Sequence, residues 1–247
     1  MGNVYRIHLI MFMLNNRFSD NSALINLANS LKEEYLKSKP FPHIIIENLF
    51  DDSYLTQVCD EFVNLKDKQG AIEFKNKAEI KLASGRGDSL HGRQTKDLLR
   101  FLNSTTFIDF LQLLTSINEQ LIPDPHFIGG GMHQIQRGGL LKVHSDFCRH
   151  PDTGLDRRIN LLIYLNKDWS EEYGGYLELW NKNMTVSEKK ILPVFNRTLI
   201  FNTTDFTYHG HPNPLNCPIE RNRKSLALYY FSNGRPSQEL RSSGINQ

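Results

Sequence analysis

Five short runs of apolar and β-branched residues fill the second half of the chain, from about residue 126 onward. They read GGLLKVHSD, RRINLLIYLN, GGYLELW, TLIFNTT and KSLALYYFS. Glycine, proline and asparagine punctuate the segments between them, as in chains that turn after each strand. Many short strands with such punctuation favour a sandwich or a barrel-like jelly roll. We therefore predict a mainly β fold for this half.

The first half carries helical periodicity instead. Apolar residues recur at helical spacing in residues 22–37, with Ser22 as the expected N-cap, then along Leu55–Val63 and in residues 105–121. Between the first two helices, PFPHIIIENLF predicts a buried strand. Because the helices precede the strands and do not alternate with them, we predict an α+β, mainly β fold. Its core would be a double-stranded β-helix (jelly roll) with helices from the N-terminal part packed on one side.

The length of 247 residues allows one large domain or two small ones. We expect residues 1–125 to form a helical support region, including the first strand, that does not fold independently. Residues 126–247 would form the jelly-roll core. Residues 76–94, between the second and third predicted helices, are polar and contain several glycines, so we expect a surface loop there.

Charge and cysteine content disfavour several classes of protein. With 29 basic and 27 acidic residues the net charge is +2, which gives no electrostatic case for nucleic-acid binding. Cys59, Cys148 and Cys217 are odd in number and far apart, so they predict neither a disulfide framework nor a CxxC metal site. We expect free thiols in a reducing compartment, and with them a cytoplasmic location.

The N-terminal run VYRIHLIMFML has a basic residue followed by apolar ones, as a signal peptide would. It is too short to span a membrane, and no small-x-small cleavage pattern follows it. We expect neither a cleaved leader nor a membrane segment. Met13 is an equally good candidate for the natural start, with residues 1–12 as an extension.

His144 and Asp146 stand two residues apart at the end of a predicted strand, so both side chains project from one face. A third metal ligand would come from another strand, and His209 and His211 in DFTYHGHPNP are the candidates. Two imidazoles and one carboxylate are typical of non-haem Fe(II) sites that leave three coordination positions open. A zinc hydrolase can use the same ligands, but its commonest signature, a helical HExxH, is absent. An isolated HxD is weak evidence, because the spacing occurs often by chance.

A further match lies downstream, in RKSLALYYF. On a strand, Arg223, Ser225, Ala227 and Tyr229 share one face, whereas Lys224 lies on the other. A cation buried on the metal side is costly unless an anion pairs with it. The planar guanidinium of Arg suits a carboxylate, since it can donate two parallel hydrogen bonds. The alternative is a solvated charge at an exposed strand end.

With these motifs in order, the sequence resembles the Fe(II)/2-oxoglutarate-dependent dioxygenases of the prolyl 4-hydroxylase type. The resemblance covers about residues 126–232, with weaker agreement in PFPHIIIENLF. The YLNKDW…GG portion is similar to the oxygen-sensing prolyl hydroxylases. The motifs are HSD at 144–146, YLNKDW at 164–169, GGYLELW at 174–180, LIFNTTDFTYHGH at 199–211 and RKSLALYYF at 223–231.

The resemblance implies roles for individual residues. His144, Asp146 and His209 match the catalytic iron ligands, with His211 as the competitor for the last position. Arg223 matches the residue that binds the distal carboxylate of 2-oxoglutarate, and Tyr164 matches a tyrosine that hydrogen-bonds the same group. The implied cofactors are Fe(II) and 2-oxoglutarate as co-substrate, with ascorbate as a candidate reductant, and dioxygen is the second co-substrate.

One departure concerns the segment before HSD. Many relatives have a tyrosine there that contacts the co-substrate, whereas this chain reads HQIQRGG, so that Gln134 or Gln136 would have to substitute. Substrate specificity would reside in loops such as 76–94 and 147–157, which we expect to flank the metal and to be mobile.

The expected function is hydroxylation of an unactivated C–H bond of a prolyl residue in a peptide or protein. Hydroxylation of a free amino acid or a small metabolite is the first alternative. A nucleic-acid demethylase is disfavoured by the near-neutral charge, and Asp146 argues against a halogenating relative, which lacks that carboxylate. A non-catalytic metal-binding module and a zinc hydrolase would leave Arg223 and Tyr164 without a task. We expect neither a nucleic-acid nor a membrane partner.

Overall fold

A computed structural model describes residues 21–241. The expectations for the N-terminal run and for Met13 fall outside these residues. Between residues 21 and 241, no helix is both long and apolar enough to cross a membrane. The helices are α1 (Asn21–Lys37), α2 (Asp52–Asp60), α3 (Arg93–Leu102) and α4 (Thr105–Thr115). The strands are β1 (His43–Glu47), β2 (Ile72–Lys75), β3 (Glu79–Ala83), β4 (Ile122–Pro123), β5 (Gly131–Ile135), β6 (Leu140–His144), β7 (Asp156–Tyr164), β8 (Leu177–Trp180), β9 (Ser187–Ile191), β10 (Arg197–Asn202), β11 (Tyr208–His211) and β12 (Arg223–Ser232).

The strands form one curled antiparallel sheet in the order β1-β10-β7-β12-β5-β3-β6-β11-β8-β9, with β2 on β3 and β4 on β12. Strand β3 joins the two halves, because it pairs with β5 through Leu82 and Ala83 and with β6 through Glu79 and Ile80. The curl brings β8 against β7 and β10 in a shared apolar cluster. A mainly β jelly roll with helices is therefore confirmed.

Side-chain alternation divides the residues of β7 and β12 between two environments. One face of the sheet packs against the helices and forms the main core, in which the hydroxyl of Tyr230 donates a hydrogen bond to the backbone carbonyl of Leu102. From β7 and β12 this core takes Ile159, Leu161, Ile163, Leu226, Leu228 and Tyr230. The other face lines the inside of the curl, which is more polar.

The expectation that the helices precede the strands and do not alternate with them was wrong for β2 and β3, which lie between α2 and α3. Residues 76–94, expected to be a loop, contain β3, and β2 precedes it. Strand β3 has only five residues and little sequence signal, because its stability comes from pairing with β5, β6 and β2 at once. Within 76–94, residues 76–78 and 84–92 are free of regular structure, and α3 begins at Arg93.

Helix α3 was missed because its N-terminus is capped from outside its own sequence. Its N-cap, Gly92, supplies no side chain, and the carboxylate of Glu61 accepts hydrogen bonds from the backbone N–H groups of Gln94 and Thr95. Such a cap satisfies the unpaired donors of the first turn but leaves no local N-cap signal.

The bounds of the other helices also need correction. Helix α1 already includes Ser22, and α2 ends before Phe62 and Val63, although Phe62 is buried after the helix end. Helix α4 ends at Thr115, because Ser116 takes the left-handed conformation with φ 55° and closes the last turn onto Gln112. The residues beyond Ser116 therefore do not continue the helix.

Both sides of the proposed boundary at residue 125 contribute to the same sheet. Strand β1 pairs with β10 along its whole length, and β3 lies between β5 and β6. Removal of residues 21–125 would expose strand edges on both halves of the roll. This sharing supports the proposal that the N-terminal region does not fold independently.

Candidate metal and co-substrate site

The site begins with the pairing of β6 and β11, which sets His209 directly opposite His144. Asp146 follows β6 by two residues, on the same side. The Nε2 atom of each imidazole lies 3.5 Å from an oxygen of the Asp146 carboxylate. One ligand atom from each of the three residues falls within 4.8 Å of the others. The structure thus brings together His144, Asp146 and His209.

Backbone carbonyls orient both imidazoles. The Nδ1 atom of His144 lies 2.8 Å from the carbonyl oxygen of Lys142, and that of His209 lies 3.4 Å from the carbonyl of Thr207. A hydrogen bond at Nδ1 assigns the proton to that nitrogen and leaves the Nε2 lone pair for a metal. Burial lowers the pKa of His209 to about 4, which keeps this imidazole neutral as a ligand must be.

The carboxylate of Asp146 is held ionised by its neighbours. Asn160 donates a hydrogen bond of 2.7 Å to Oδ2, and the Arg157 guanidinium lies 3.3 Å from the same oxygen. Burial by itself raises the pKa of Asp146, but Arg157 and the two imidazoles outweigh it and hold the pKa well below its usual range. Arg157 is in turn fixed by a hydrogen bond to Asn160, at 2.9 Å.

The donor set fits a ferrous ion. Two nitrogen ligands and one carboxylate oxygen come together at a cavity that Arg223, Ser225 and Tyr229 also line. This is the ligand chemistry of the non-haem Fe(II) oxygenases.

Arg223 lies in the same cavity as the triad, and its residue is only 4% exposed. Its Nε donates a hydrogen bond of 2.9 Å to the carbonyl of Gly175, and Nη2 lies 3.4 Å from the Tyr164 hydroxyl. Within residues 21–241 no carboxylate forms an ion pair with it. Burial lowers its pKa and Tyr164 opposes this effect. A buried guanidinium with neutral partners only is suited to receive an anion.

Gly175 allows this arrangement. Its φ is +73°, and a Cβ there would lie 2.5 Å from Leu215 Cδ2 and 3.0 Å from Arg223 Cδ. The paired glycines after YLNKDW therefore serve to bring the backbone against Arg223. Lys224, by contrast, lies on the other face of β12, with its ammonium 5.0 Å from the centre of the Phe62 ring.

Arg157, which sequence analysis did not single out, connects the metal site to an aromatic cluster. Its guanidinium carbon lies 3.4 Å from the centre of the Tyr229 ring and 4.5 Å from that of Phe147. The two rings meet edge to face, and Phe147 is 44% exposed. In the sequence, the available signal for the role of Arg157 was the presence of an arginine in an otherwise apolar strand. We name Arg157, Tyr229 and Phe147 the aromatic cluster.

Gln134 does not take the place of the missing tyrosine. It is fully buried on the helix side, where it donates to Asn64 and accepts from the backbone N–H of Leu65. From the same strand, His133 and Ile135 line the cavity instead, because they alternate with Gln134. Gln136 lies beyond the end of β5 and does not line the cavity.

The segments beside the cavity are tied to the body of the protein. His150, in the middle of 147–157, is buried and lies 3.5 Å from the carboxylate of Asp124. Arg86 and Asp152 form an exposed ion pair of 2.9 Å between this segment and the one after β3. The predicted mobility of residues 76–94 and 147–157 stays a prediction.

His211 also lines the cavity but does not join the ligand cluster. It is 2% exposed, and neither ring nitrogen has a hydrogen-bond partner in the part of the chain that the structure describes. Burial, followed by the charge of Arg223, holds its pKa well below the usual value.

Measurements of metal affinity test which residues are the ligands. We expect His144→Ala, Asp146→Ala and His209→Ala each to lose most of the affinity for Mn(II) or Fe(II), because two remaining ligands hold an ion weakly. Asn160→Ala should weaken binding roughly 10- to 100-fold, as the loss of a group that orients a ligand does. Anaerobic equilibrium titration of the metal measures both effects.

His211→Ala is the matched control. It should leave metal affinity within about threefold of the unaltered protein, since a mutation outside a network usually acts independently. Full metal binding by His209→Ala together with loss in His211→Ala would show that the distal ligand is assigned to the wrong histidine.

Comparison with known proteins agrees with this geometry. Residues 130–231 match the family model of the 2OG-Fe(II) oxygenase superfamily. A prolyl 3-hydroxylase of Xenopus laevis, OGFOD1, is 24% identical over 179 residues, which are 70% of this chain and 32% of the relative. The chain thus spans about a third of the length of that relative.

Two solved structures share the fold. A prolyl hydroxylase from Trichoplax adhaerens, in complex with a hypoxia inducible factor peptide fragment, has a TM-score of 0.61 at 20% identity and covers 85% of this chain and 90% of its own. A Pseudomonas putida prolyl-4-hydroxylase has a TM-score of 0.60 at 13% identity, covering 83% and 99%. The triad and Arg223 all lie within the matched segment, so residues 130–231 of this chain are a domain of the 2OG-Fe(II) oxygenase superfamily.

Proposed function

We propose that the chain is an Fe(II)- and 2-oxoglutarate-dependent dioxygenase that hydroxylates a prolyl residue in a peptide or protein. The observation that carries the proposal is the position of Arg223, a buried cation without an ion-pair partner among residues 21–241, in one cavity with the triad. When bound, iron and 2-oxoglutarate supply the oxidation that uses dioxygen to yield succinate, carbon dioxide and a hydroxylated product.

The residues of the chain bind and orient the metal ion and the co-substrate. His144, Asp146 and His209 hold the ion, and Arg157 keeps Asp146 in the ionised form that a ligand needs. Arg223 and the Tyr164 hydroxyl receive the distal carboxylate of 2-oxoglutarate. A charge-assisted pair in a site shielded from water is stronger than the same pair in solvent.

The aromatic cluster supports a prolyl substrate. Tyr229 and Phe147 present ring surface beside the ligand Asp146, and the Tyr229 hydroxyl is fixed by a hydrogen bond to the carbonyl of Gly129, at 2.9 Å. An exposed ring such as that of Phe147 packs well against an apolar pyrrolidine. The Xenopus and Trichoplax relatives are named prolyl hydroxylases, which favours the same substrate class here.

Two further features belong to the proposal. Ascorbate would act as an accessory reductant. A cytoplasmic location is supported by Cys59, Cys148 and Cys217, which are all free thiols in the structure. Unpaired cysteines are typical of reducing compartments.

A succinate-release assay tests the function. The panel contains proline peptides, free amino acids and small metabolites, each with and without Fe(II) and 2-oxoglutarate. We expect succinate formation to depend on both cofactors and to be stimulated by a proline peptide, whose mass rises by about one oxygen atom.

The outcomes separate the alternatives. Stimulation by a free amino acid or metabolite only would replace the prolyl substrate with a small molecule. Metal binding without succinate from any member of the panel would favour a non-catalytic module. Hydrolysis of a substrate with zinc, independent of 2-oxoglutarate, would favour a zinc hydrolase.

Arg223→Ala should raise the 2-oxoglutarate requirement far more than it disturbs metal binding. Truncation should cost roughly 2–5 kcal/mol of co-substrate binding, because it leaves the distal carboxylate buried and unpaired. Tyr164→Phe removes one neutral donor, for which about 0.5–1.5 kcal/mol is expected. Titration of 2-oxoglutarate against each variant measures the difference.

Lys224→Ala is the control from the next position on the same strand, and it should change the requirement little because Lys224 lies over Phe62. A severe effect of Lys224→Ala with a mild effect of Arg223→Ala would contradict the assignment of the carboxylate site.

A further inference from the structure

His211 stands out among the cavity residues because its polar atoms are unsatisfied. Both ring nitrogens are buried, and neither has a hydrogen-bond partner among residues 21–241. The other cavity histidines are held: His133 lies 3.0 Å from the carbonyl of Gly129, and His144 and His209 bond to backbone carbonyls as described. A buried donor or acceptor without a partner is costly, and most such groups in native proteins are satisfied.

His211 lies at the Arg223 end of the cavity. His211 and Arg223 both line the cavity. His211 also lines a neighbouring pocket with Gly174 and Gly175, and the carbonyl of Gly175 accepts the hydrogen bond from Arg223 Nε. Burial contributes most to the lowered pKa of His211, and among the charged groups Arg223 lowers this pKa more than Lys81 and His144 do. The imidazole therefore borders the region where the carboxylate of 2-oxoglutarate would pair with Arg223.

The backbone of β11 fixes His211 in this place. A Cβ on Gly210 would lie 2.8 Å from the carbonyl oxygens of Leu141 and Lys142, so the strand approaches β6 too closely for any other residue. The pairing shifts register between His209 and His211, since His209 opposes His144 while His211 opposes Leu141. This irregularity separates the two imidazoles, so that one joins the triad and the other does not.

We propose that His211 is a further binding residue for the co-substrate, and that its imidazole N–H donates a hydrogen bond to the carboxylate that pairs with Arg223. The inference rests on the proposed function and adds a third donor to Arg223 and Tyr164. An imidazole carries at least one N–H in either tautomer, and a carboxylate has lone pairs left after Arg223 has bound. The contact would satisfy a nitrogen that has no other partner.

The test compares two keto acids that differ only at the distal end. 2-Oxoglutarate carries the distal carboxylate, whereas 2-oxopentanoate has the same chain length and a methyl group in its place. Their dissociation constants for the Mn(II)-loaded protein are measured anaerobically by calorimetry, which needs no turnover. His211→Leu should weaken 2-oxoglutarate binding roughly 10- to 100-fold, the range for a hydrogen bond to a charged group, and 2-oxopentanoate binding less than about twofold.

Two controls accompany the variant. His91 is also buried with an unpartnered Nδ1, but it lies outside the cavity, so His91→Leu should leave both constants within about twofold. Thermal unfolding checks that each variant folds. Should His211→Leu be unfolded, His211→Met replaces the ring by another apolar side chain and is measured with the same two ligands.

Equal weakening of both keto acids would mean that His211 only supports the cavity wall, and no weakening would mean that it makes no contact. Either result overturns the inference while leaving the proposed function intact. If the unaltered protein binds neither keto acid, the proposed function itself fails and the role of His211 fails with it.

Discussion

The pairing of β6 with β11 is the interaction on which the site depends. It places His209 opposite His144, and Asp146 then lies within 3.5 Å of both imidazoles. Gly210 permits the close approach of the two strands, and the register shift beside it separates His209 from His211. A slip of two residues in this register would exchange the two histidines, because side chains two residues apart lie on the same face of a strand.

Two buried charged groups, Asp146 and Arg223, line the cavity, and they differ in how far neighbouring groups compensate their charge. The carboxylate of Asp146 is fully compensated by Arg157, by Asn160 and by the imidazoles. Within residues 21–241, the guanidinium of Arg223 has only the carbonyl of Gly175 and the hydroxyl of Tyr164 as hydrogen-bond partners. A buried guanidinium with neutral partners is costly in a folded protein unless an anionic ligand pairs with it. The protein therefore arranges a metal site and an anion site within one cavity.

Much of the fold and of the site could be predicted from the sequence, because these parts depend on local sequence patterns. The period-two alternation of RKSLALYYF separates the environments of Arg223 and Lys224, and the apolar runs predict six of the strands, including β1. Spacing alone could not separate His209 from His211, because a register shift is decided by the partner strand.

Other features could not be predicted, since they depend on tertiary contacts. Strand β3 is stabilised by its neighbours on both edges, and α3 is capped by Glu61 from another part of the chain. Gln134 has its partners in Asn64 and Leu65, about seventy residues earlier, so its burial on the helix side left no signal in HQIQRGG. Arg157 gains its role only because Asp146 and two aromatic rings converge on it.

The central claim is that one site couples the oxidation of 2-oxoglutarate to the hydroxylation of a prolyl residue. The most direct measurement is a reaction under isotopically labelled dioxygen, with a proline peptide that stimulates succinate release. The account predicts one labelled oxygen atom in succinate and the other in the hydroxylated peptide, in equal amounts and both absent in Asp146→Ala. Labelled succinate with an unmodified peptide, or a hydroxyl group derived from water, would contradict it.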